Sequence, residues 1–182
     1  MKKSNSICIV LGMLCLVACG EQDSSFLITE NSVGPLFKET PTKDLEAIFS
    51  KDSVVMDTSN LKVGASARKI KVFEKGGKHL LTLTPNQDSI PTVENIRIFD
   101  SRYESKEGLG LKSSFKDIKT YYTIKKIVTT ISSVVVFPKE SNLYFTLDKA
   151  DLPSSLRYTN SNIEAVQIPD ETKIKYLMMG WD

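Results

Sequence analysis

The sequence predicts an α+β fold in which a short helix followed by about four antiparallel strands occurs twice and packs as one domain. Blocks of similar apolar pattern recur in the same order at separations of 64 to 73 residues. Each set opens with helical periodicity, and the segments after it alternate polar and apolar residues as strands do. The chain has 182 residues, a length that suits one domain once its first 18 residues are set aside.

The duplication is indicated by blocks that keep their order along the chain. Because alternating apolar residues also match by chance, a single irregular sheet with recurrent strand patterns is the alternative. The collinear order favours repeat one over about residues 26–100 and repeat two over about residues 101–182. The matched segments are 43–49 with 116–122, 70–73 with 134–137, 80–83 with 144–147, and 93–98 with 163–168.

Each repeat is expected to begin with a short amphipathic helix. Thr40 is the predicted N-cap before Pro41 in the first helix, and Ser113 takes the equivalent place in the second. Apolar residues at i, i+3 and i+4 give each helix one apolar stripe, and helices this short need a sheet to pack against. The stripes are Leu45, Ile48 and Phe49, and Ile118, Tyr121 and Tyr122.

Glycine marks the clearest hairpin. Gly76-Gly77 separates two alternating segments, and glycine accepts the positive φ that a two-residue turn requires. Glu140-Ser141-Asn142 is the predicted counterpart turn. The loops within residues 56–69 and 149–162 differ in length between the repeats, so they are candidate contact regions. Further strands are predicted around Val54 and over residues 93–99, 124–131, 163–168 and 174–178.

The N-terminal segment has the pattern of an export signal. Basic residues precede an apolar run, residues 7–18, that is shorter than the roughly 20 residues a spanning helix needs. The motif Leu16-Val17-Ala18-Cys19 ends this run and resembles the lipobox of bacterial lipoproteins. The resemblance implies cleavage before Cys19 and two or three acyl chains on it, and two chains suffice for stable anchoring.

This interpretation divides the chain into three parts. They are a lipoprotein signal peptide (residues 1–18), the lipidated cysteine with a flexible tether (residues 19–25) and one globular domain (residues 26–182). The six tether residues extend about 20 Å, so the domain is expected to stay near the lipid. We expect the protein to be located in the cell envelope, and Gly20 after the cysteine favours the outer membrane if the host has one.

Composition excludes several classes of function. Cleavage removes Cys8 and Cys15 and lipid occupies Cys19, which leaves no thiol for a disulfide, a zinc site or a nucleophile. Without Lys2 and Lys3 the mature chain has 22 basic and 22 acidic residues. This balanced charge argues against a nucleic-acid partner.

Residues suited to catalysis are few, and no catalytic residue, metal site or cofactor is predicted. His79 is the only histidine, and an ordinary strand histidine is favoured because no triad spacing surrounds it. Asp44 and Asp117 lie at matching helix starts, where the helix dipole favours a negative charge, so a structural role is expected. Calcium bound by loop acids such as Asp148 and Asp151 is the remaining metal alternative.

Two surface features are candidates for binding. Basic residues around Glu74 indicate either a contact for anionic lipid head groups or a solvated sheet face. In the second hairpin consecutive apolar residues make both faces apolar, so the C-terminal segment, the other repeat or a partner is expected to cover that sheet. The candidate interaction surface consists of Val135, Phe137, Tyr144 and Trp181.

The leading functional hypothesis is a non-enzymatic envelope lipoprotein that binds another protein or an envelope polymer. A tandem pair of helix-plus-four-strand units is similar in outline to the β-lactamase-inhibitory proteins, which bind other proteins, and this similarity concerns architecture alone. The alternative is a lipoprotein that binds a small ligand in a pocket between the two repeats. A hydrolase that uses carboxylates is less favoured.

We expect Cys19→Ser, expressed in a bacterial host, to incorporate no radiolabelled palmitate and to retain its signal segment, because the lipid would be joined to that thiol. Immunoprecipitation after labelling and gel mobility measure the two effects. Cys15→Ser is the matched control and should be labelled and cleaved normally, since Cys15 leaves with the signal. Labelled Cys19→Ser would contradict the lipobox interpretation.

Overall fold

Strands account for most of the regular structure in the computed structural model, which describes residues 24–56 and 69–181. The strands are β1 (Leu27–Thr29), β2 (Ser32–Val33), β3 (Leu36–Phe37), β4 (Asp52–Met56), β5 (Ile70–Glu74), β6 (His79–Pro85), β7 (Val93–Ile98), β8 (Glu104–Ser105), β9 (Ile124–Thr129), β10 (Ser133–Pro138), β11 (Leu143–Asp148) and β12 (Ile174–Gly180). The α-helices are α1 (Leu45–Ile48), α2 (Phe115–Tyr121) and α3 (Ser154–Arg157), and 3-10 turns occur at Ser24–Phe26, Thr42–Asp44, Lys149–Asp151 and Ala165–Gln167. Within these described ranges, no helix has the length and apolar character needed to cross a bilayer.

Eight of the strands form one antiparallel sheet, in the order β4-β5-β6-β7-β12-β11-β10-β9. β4 to β7 form one meander and β9 to β12 another, and the two meet where β7 pairs with β12. A smaller sheet has the order β3-β2-β1-β8, in which β1 and β8 run parallel. We call the side of the large sheet that carries the buried side chains its core face, and the opposite side its outer face.

Side-chain alternation along each strand determines which residues form the core. On β10, Val134 and Val136 are fully buried, whereas Val135 and Phe137 remain partly exposed. The pairing register aligns one apolar residue from each strand into a continuous row, which is buried on the six inner strands. From β4 to β9 this core row is Val54, Val72, Leu81, Ile98, Leu177, Phe145, Val136 and Ile127.

Both predicted hairpin turns are present. Between β5 and β6, Gly76 and Gly77 have φ values of 115° and 88°, which side chains with a Cβ rarely adopt. Between β10 and β11, Glu140 takes the positive φ, at 57°. The strand predicted over residues 163–168 is wrong, because this segment contains a 3-10 turn and no strand. Its buried ends, Ile163 and Ile168, hold an irregular segment against the core.

The predicted fold class, an α+β fold made of two helix-plus-four-strand repeats, is wrong. The described structure is mainly β, with sheets of eight and four strands. α1 has four residues and α2 has seven, too few to form a helical layer. The smaller sheet was not predicted, and it combines β1 to β3 from the range of the first repeat with β8 from the range of the second. The i, i+3, i+4 spacing shows which side chains share a face over one turn, and it does not distinguish a single turn from a packed helix.

The helix starts also differ from the prediction. α2 begins after Ser114, which forms a reciprocal capping box with Asp117, rather than after Ser113. In the first segment, Pro41 rather than Thr40 precedes the 3-10 turn that leads into α1. Of the two candidate contact loops, residues 149–162 contain a 3-10 turn and α3, whereas residues 57–68 lie outside the described residues, as do Cys19 and the signal segment.

The turn between β1 and β2 is joined to the C-terminal end of the chain through Glu30, in a set of contacts that we call the Glu30 clamp. The Glu30 carbonyl accepts hydrogen bonds from Trp181 Nε1 at 3.0 Å and from Asn142 Nδ2 at 3.1 Å. The Glu30 carboxylate accepts from Ser141 Oγ at 3.1 Å and from the Asn142 backbone N–H at 2.9 Å. The clamp connects the smaller sheet to the β10–β11 turn and to the residue after β12.

We expect Trp181→Phe to lower the free energy of unfolding by at least about 1 kcal/mol, because phenylalanine removes the donor to the Glu30 carbonyl and its single ring fills less of the buried site than indole. Urea unfolding followed by circular dichroism measures the change. Tyr158→Phe is the control, since Tyr158 is 89% exposed, and its effect should stay within about 0.5 kcal/mol. Equal stability of the Trp181→Phe and wild-type chains would show that this hydrogen bond does not stabilise the fold.

Candidate functional site on the outer face of the large sheet

The outer face of the large sheet carries basic and aromatic side chains in a second continuous row. These residues are sequence neighbours of the core row, and successive side chains on a strand point to opposite faces. Cations occur on both meanders and no acidic residue occurs in the row. From β4 to β9 the row is Val55, Lys71, Thr82, Arg97, Met178, Tyr144, Phe137 and Lys126.

The aromatic end of this face, defined as Lys126, Val128, Val135, Phe137 and Tyr144, is built on β9, β10 and β11. The Phe137 and Tyr144 rings stack with centroids 5.4 Å apart and an interplanar angle of 17°. Lys126 Nζ lies 4.6 Å from the Phe137 ring centroid, a distance at which the ring face attracts a cation. Val128 pairs with Val135 and is 39% exposed. The arrangement is an apolar surface with a cation at its edge.

Three of the four residues predicted as an interaction surface come together at this end. Val135, Phe137 and Tyr144 are neighbours on the outer face of β10 and β11. Trp181 lies apart from them, since it is only 3% exposed and belongs to the Glu30 clamp. The C-terminal strand does not cover this surface, because β12 pairs edge to edge with β11 in the same sheet.

A hydrogen bond connects the aromatic end to the centre of the sheet. Asn95 Nδ2 on β7 donates to Tyr144 Oη at 2.5 Å. Burial raises the pKa of Tyr144, and the hydrogen bond from Asn95 acts in the opposite direction. Tyr144 therefore presents a neutral phenol whose oxygen is already oriented by Asn95, across the intervening strand β12.

The imidazole of His79 lies in a stack of aromatic rings on the first meander. Its ring centroid is 4.7 Å from that of Phe73 and 3.9 Å from that of Phe99. His79 Nε2 lies 3.1 Å from the Leu81 carbonyl oxygen, to which it can donate, and 3.0 Å from Thr82 Oγ1. Burial lowers the pKa of His79. These contacts orient a neutral ring by packing, as expected for a strand histidine.

Arg97 extends this stack toward β12. Its guanidinium carbon lies 4.6 Å from the Phe99 ring centroid and 3.8 Å from that of Tyr176, so the guanidinium packs against two rings. Arg97 Nε is buried and has no hydrogen-bond acceptor in the described part of the chain. The sequence indicated this residue only as a polar position in a strand, because one of its two ring partners, Tyr176, comes from the distant strand β12.

Beside Arg97 the outer face forms a concavity of about 410 Å³, which we call the basic concavity. It is open to solvent and lined by side chains on or next to four neighbouring strands, β5, β6, β7 and β12. Three of the lining residues are cations, none is acidic, and the others are hydroxyl, amide, imidazole or apolar groups. The lining residues are Lys69, Lys71, His79, Thr82, Thr84, Asn95, Arg97, Phe99 and Met178.

A separate cluster of ion pairs lies where β5, β6 and the loop after β7 meet. The side chain of Asp100 is fully buried and accepts hydrogen bonds from Arg102 Nε at 2.9 Å and from the Arg102 backbone N–H at 3.0 Å. Lys78 Nζ lies 3.0 Å from Asp100 Oδ2, and an Arg102 nitrogen lies 2.9 Å from a Glu74 carboxylate oxygen. Burial would raise the pKa of Asp100, but the hydrogen bonds from Arg102 and Lys78 outweigh it and lower the pKa to about 2.

Two further carboxylates, Asp117 and Asp148, have local structural roles. Hydrogen bonds from the Ser114 backbone and side chain lower the pKa of Asp117, consistent with its capping role. Asp148 pairs with Lys175 Nζ at 2.5 Å and caps a 3-10 turn. In residues 24–56 and 69–181, no group of three or more histidine, cysteine, aspartate or glutamate residues is arranged to hold a metal ion.

Comparison with known proteins gives a fold similarity. No protein-family model matches the chain, and no curated protein matches it. Among solved structures, the crystal structure of the uncharacterized protein yfeY from Escherichia coli matches with a TM-score of 0.51 and 15% sequence identity. The match covers 85% of this chain and 99% of the yfeY chain. At this identity the similarity concerns the fold alone.

We expect Asp100→Asn to reduce the acid dependence of stability. The pKa of Asp100 is lowered from 3.8 to about 2, so its ionised form stabilises the fold above about pH 4 and this contribution is lost as the pH falls through 2. The contribution amounts to about 2 kcal/mol. Urea unfolding at a series of pH values should therefore show a shallower acid slope in Asp100→Asn than in the wild type. If the free energy of unfolding fell equally steeply with decreasing pH in both proteins, ionised Asp100 would not be the source of this acid dependence.

Proposed function

We propose that this chain is a lipid-anchored protein of the cell envelope that binds another envelope protein or an envelope polymer through the aromatic end of its outer face. The lipobox-like motif at Leu16-Val17-Ala18-Cys19 supports the anchor. The aromatic end supports the binding surface, because Phe137 and Tyr144 are stacked and stay partly exposed on a sheet face. That exposed stack is the observation that carries the proposal.

The physical properties of the aromatic end suit binding. Stacked rings are large apolar surfaces that lose little conformational entropy when a partner covers them. Lys126 places a positive charge at the rim of this surface, where a charge orients an approaching partner more than it increases affinity. The sheet beneath is held rigid by the core row, so the surface is formed before a partner arrives. Protein side chains or sugar rings of a polymer can pack on such a platform.

The edge strand β9 limits how a partner can approach. It is the last strand of the large sheet, and an unpaired edge invites pairing with another chain. Lys125 and Lys126 are both exposed on it, and charged side chains disfavour edge-to-edge pairing. Contact across the outer face is therefore favoured over extension of the sheet.

A second candidate function, the binding of a small ligand, is favoured by the basic concavity. The sequence had suggested a pocket between two repeats. The concavity instead lies on the outer face, mainly on β5 to β7, with Met178 contributed by β12. Its volume of about 410 Å³ is within the range of small-molecule sites.

We expect a photo-crosslinking residue at Val135 to form a specific adduct in the native envelope, because Val135 lies at the centre of the aromatic end. Adding Phe137→Ala should weaken capture, since loss of a central aromatic side chain costs more than about 1 kcal/mol of binding. Western blotting and mass spectrometry of the adduct measure both effects. Cosedimentation of the full chain with isolated envelope polymer distinguishes a polymer from a protein partner.

The matched control carries the same crosslinker at Ile131, which is 91% exposed and lies in the turn between β9 and β10. This position lies at the end of the same strands, away from their outer face. No adduct from Val135, together with no polymer cosedimentation, would contradict the proposed function. An identical adduct from both positions would show capture without a specific surface.

A further inference from the structure

We propose that the basic concavity is a binding site for a phosphate group, carried either by a small soluble ester or by a lipid head group. Arg97, Lys69 and Lys71 supply its positive charge. The inference deepens the second candidate function by naming the ligand chemistry of its site. It is separate from the leading proposal, because none of its residues belongs to the aromatic end and its argument does not depend on the lipid anchor.

The charge of the concavity is the first argument. Among the described residues, three cations and no acid line it, although the chain as a whole has 24 basic and 22 acidic residues. In the described ranges, neither Lys69 nor Arg97 forms an ion pair, and the nearby Glu74 is engaged by Arg102 instead. A concave surface with one sign of charge attracts ligands of the opposite sign.

The packing of Arg97 is the second argument. The Phe99 and Tyr176 ring centroids lie 4.6 and 3.8 Å from its guanidinium carbon, and its buried Nε has no acceptor in the described part of the chain. Stacking uses the flat surface of the guanidinium and leaves its N–H edge for a ligand. That edge suits the oxygens of a phosphate, which arginine contacts with parallel hydrogen bonds. The rings fix its orientation before a ligand arrives.

The neutral lining residues indicate phosphate rather than a simple carboxylate. Thr82, Thr84 and Asn95 place hydroxyl and amide groups around the cations. Together they provide more donors than two carboxylate oxygens can use, and phosphate offers three or four oxygens. Met178 and Phe99 add an apolar wall, against which the carbon part of an ester can pack. The volume of about 410 Å³ accommodates a small ester or a lipid head group.

His79 provides a direct reporter. It is the only histidine in the chain and its ring lines the concavity. The full chain is purified without a histidine tag in a neutral detergent, and the imidazole resonances of His79 are followed by NMR. We expect glycerol 3-phosphate and inorganic phosphate to shift these resonances to saturation. A bound phosphate should also raise the pKa of His79, because it offsets the nearby cations Lys71 and Arg97 that help to lower it.

Two variants test the cations. Arg97→Gln and the double variant Lys69→Gln/Lys71→Gln should each weaken binding at least about tenfold, since hydrogen bonds to charged groups are the strong ones. The double variant leaves the Arg97 packing intact and so remains informative if Arg97→Gln does not fold. Lys43→Gln/Lys112→Gln is the charge-matched control, because both of these lysines are exposed and neither lines the concavity.

The source of the phosphate is distinguished by doping the micelles with phosphatidic acid or with the diacylglycerol that lacks its phosphate. The concentration of each probe that half-saturates the shift is compared. A half-saturating concentration at least about tenfold lower for phosphatidic acid than for glycerol 3-phosphate identifies a lipid head group, and similar concentrations identify a soluble ester. The proposal is overturned if no phosphate probe causes a saturable shift, if diacylglycerol shifts His79 as phosphatidic acid does, or if the control variant loses as much binding as Lys69→Gln/Lys71→Gln. None of these outcomes bears on crosslinking at Val135.

Discussion

The pairing of β7 with β12 is the contact on which the rest of the structure depends. It places Ile98 opposite Leu177 and joins two meanders, far apart in sequence, into one eight-stranded sheet. With that register the core row runs unbroken from Val54 to Ile127. A shift of one residue would pair Arg97 with Leu177 or Ile98 with Met178 and bring one of these outer residues into the core, so burial of the apolar row holds the register in place.

The same register builds the outer face. When Ile98 and Leu177 point into the core, Arg97 and Met178 must point outward as neighbours. Arg97 then packs against two aromatic rings, and Asn95 reaches Tyr144 across the junction. The basic concavity and the aromatic end are two parts of one surface. Either role proposed for that surface therefore uses a platform whose rigidity comes from the core on its other side.

Two further sets of contacts hold the ends of this platform. The Glu30 clamp ties the smaller sheet to the β10–β11 turn and explains why Trp181 is buried. At the other end, Asp100 binds Arg102 and Lys78, and Arg102 also contacts Glu74. A fully buried carboxylate is tolerated only when cations and hydrogen bonds compensate its lost hydration, as they do here.

The sequence by itself determined the local features of this protein. Gly76-Gly77 required a tight turn, and the alternation on β10 and β11 brought Val135, Phe137 and Tyr144 to one face, because turn geometry and side-chain alternation involve only adjacent residues. Only the tertiary structure decided the layers and the strand order. It also decided the burial of Trp181 and the surroundings of Arg97 and His79. Alternation shows which residues of a strand share a face but not which strand lies beside it, and Tyr176 contacts Arg97 only through the pairing of segments about 80 residues apart.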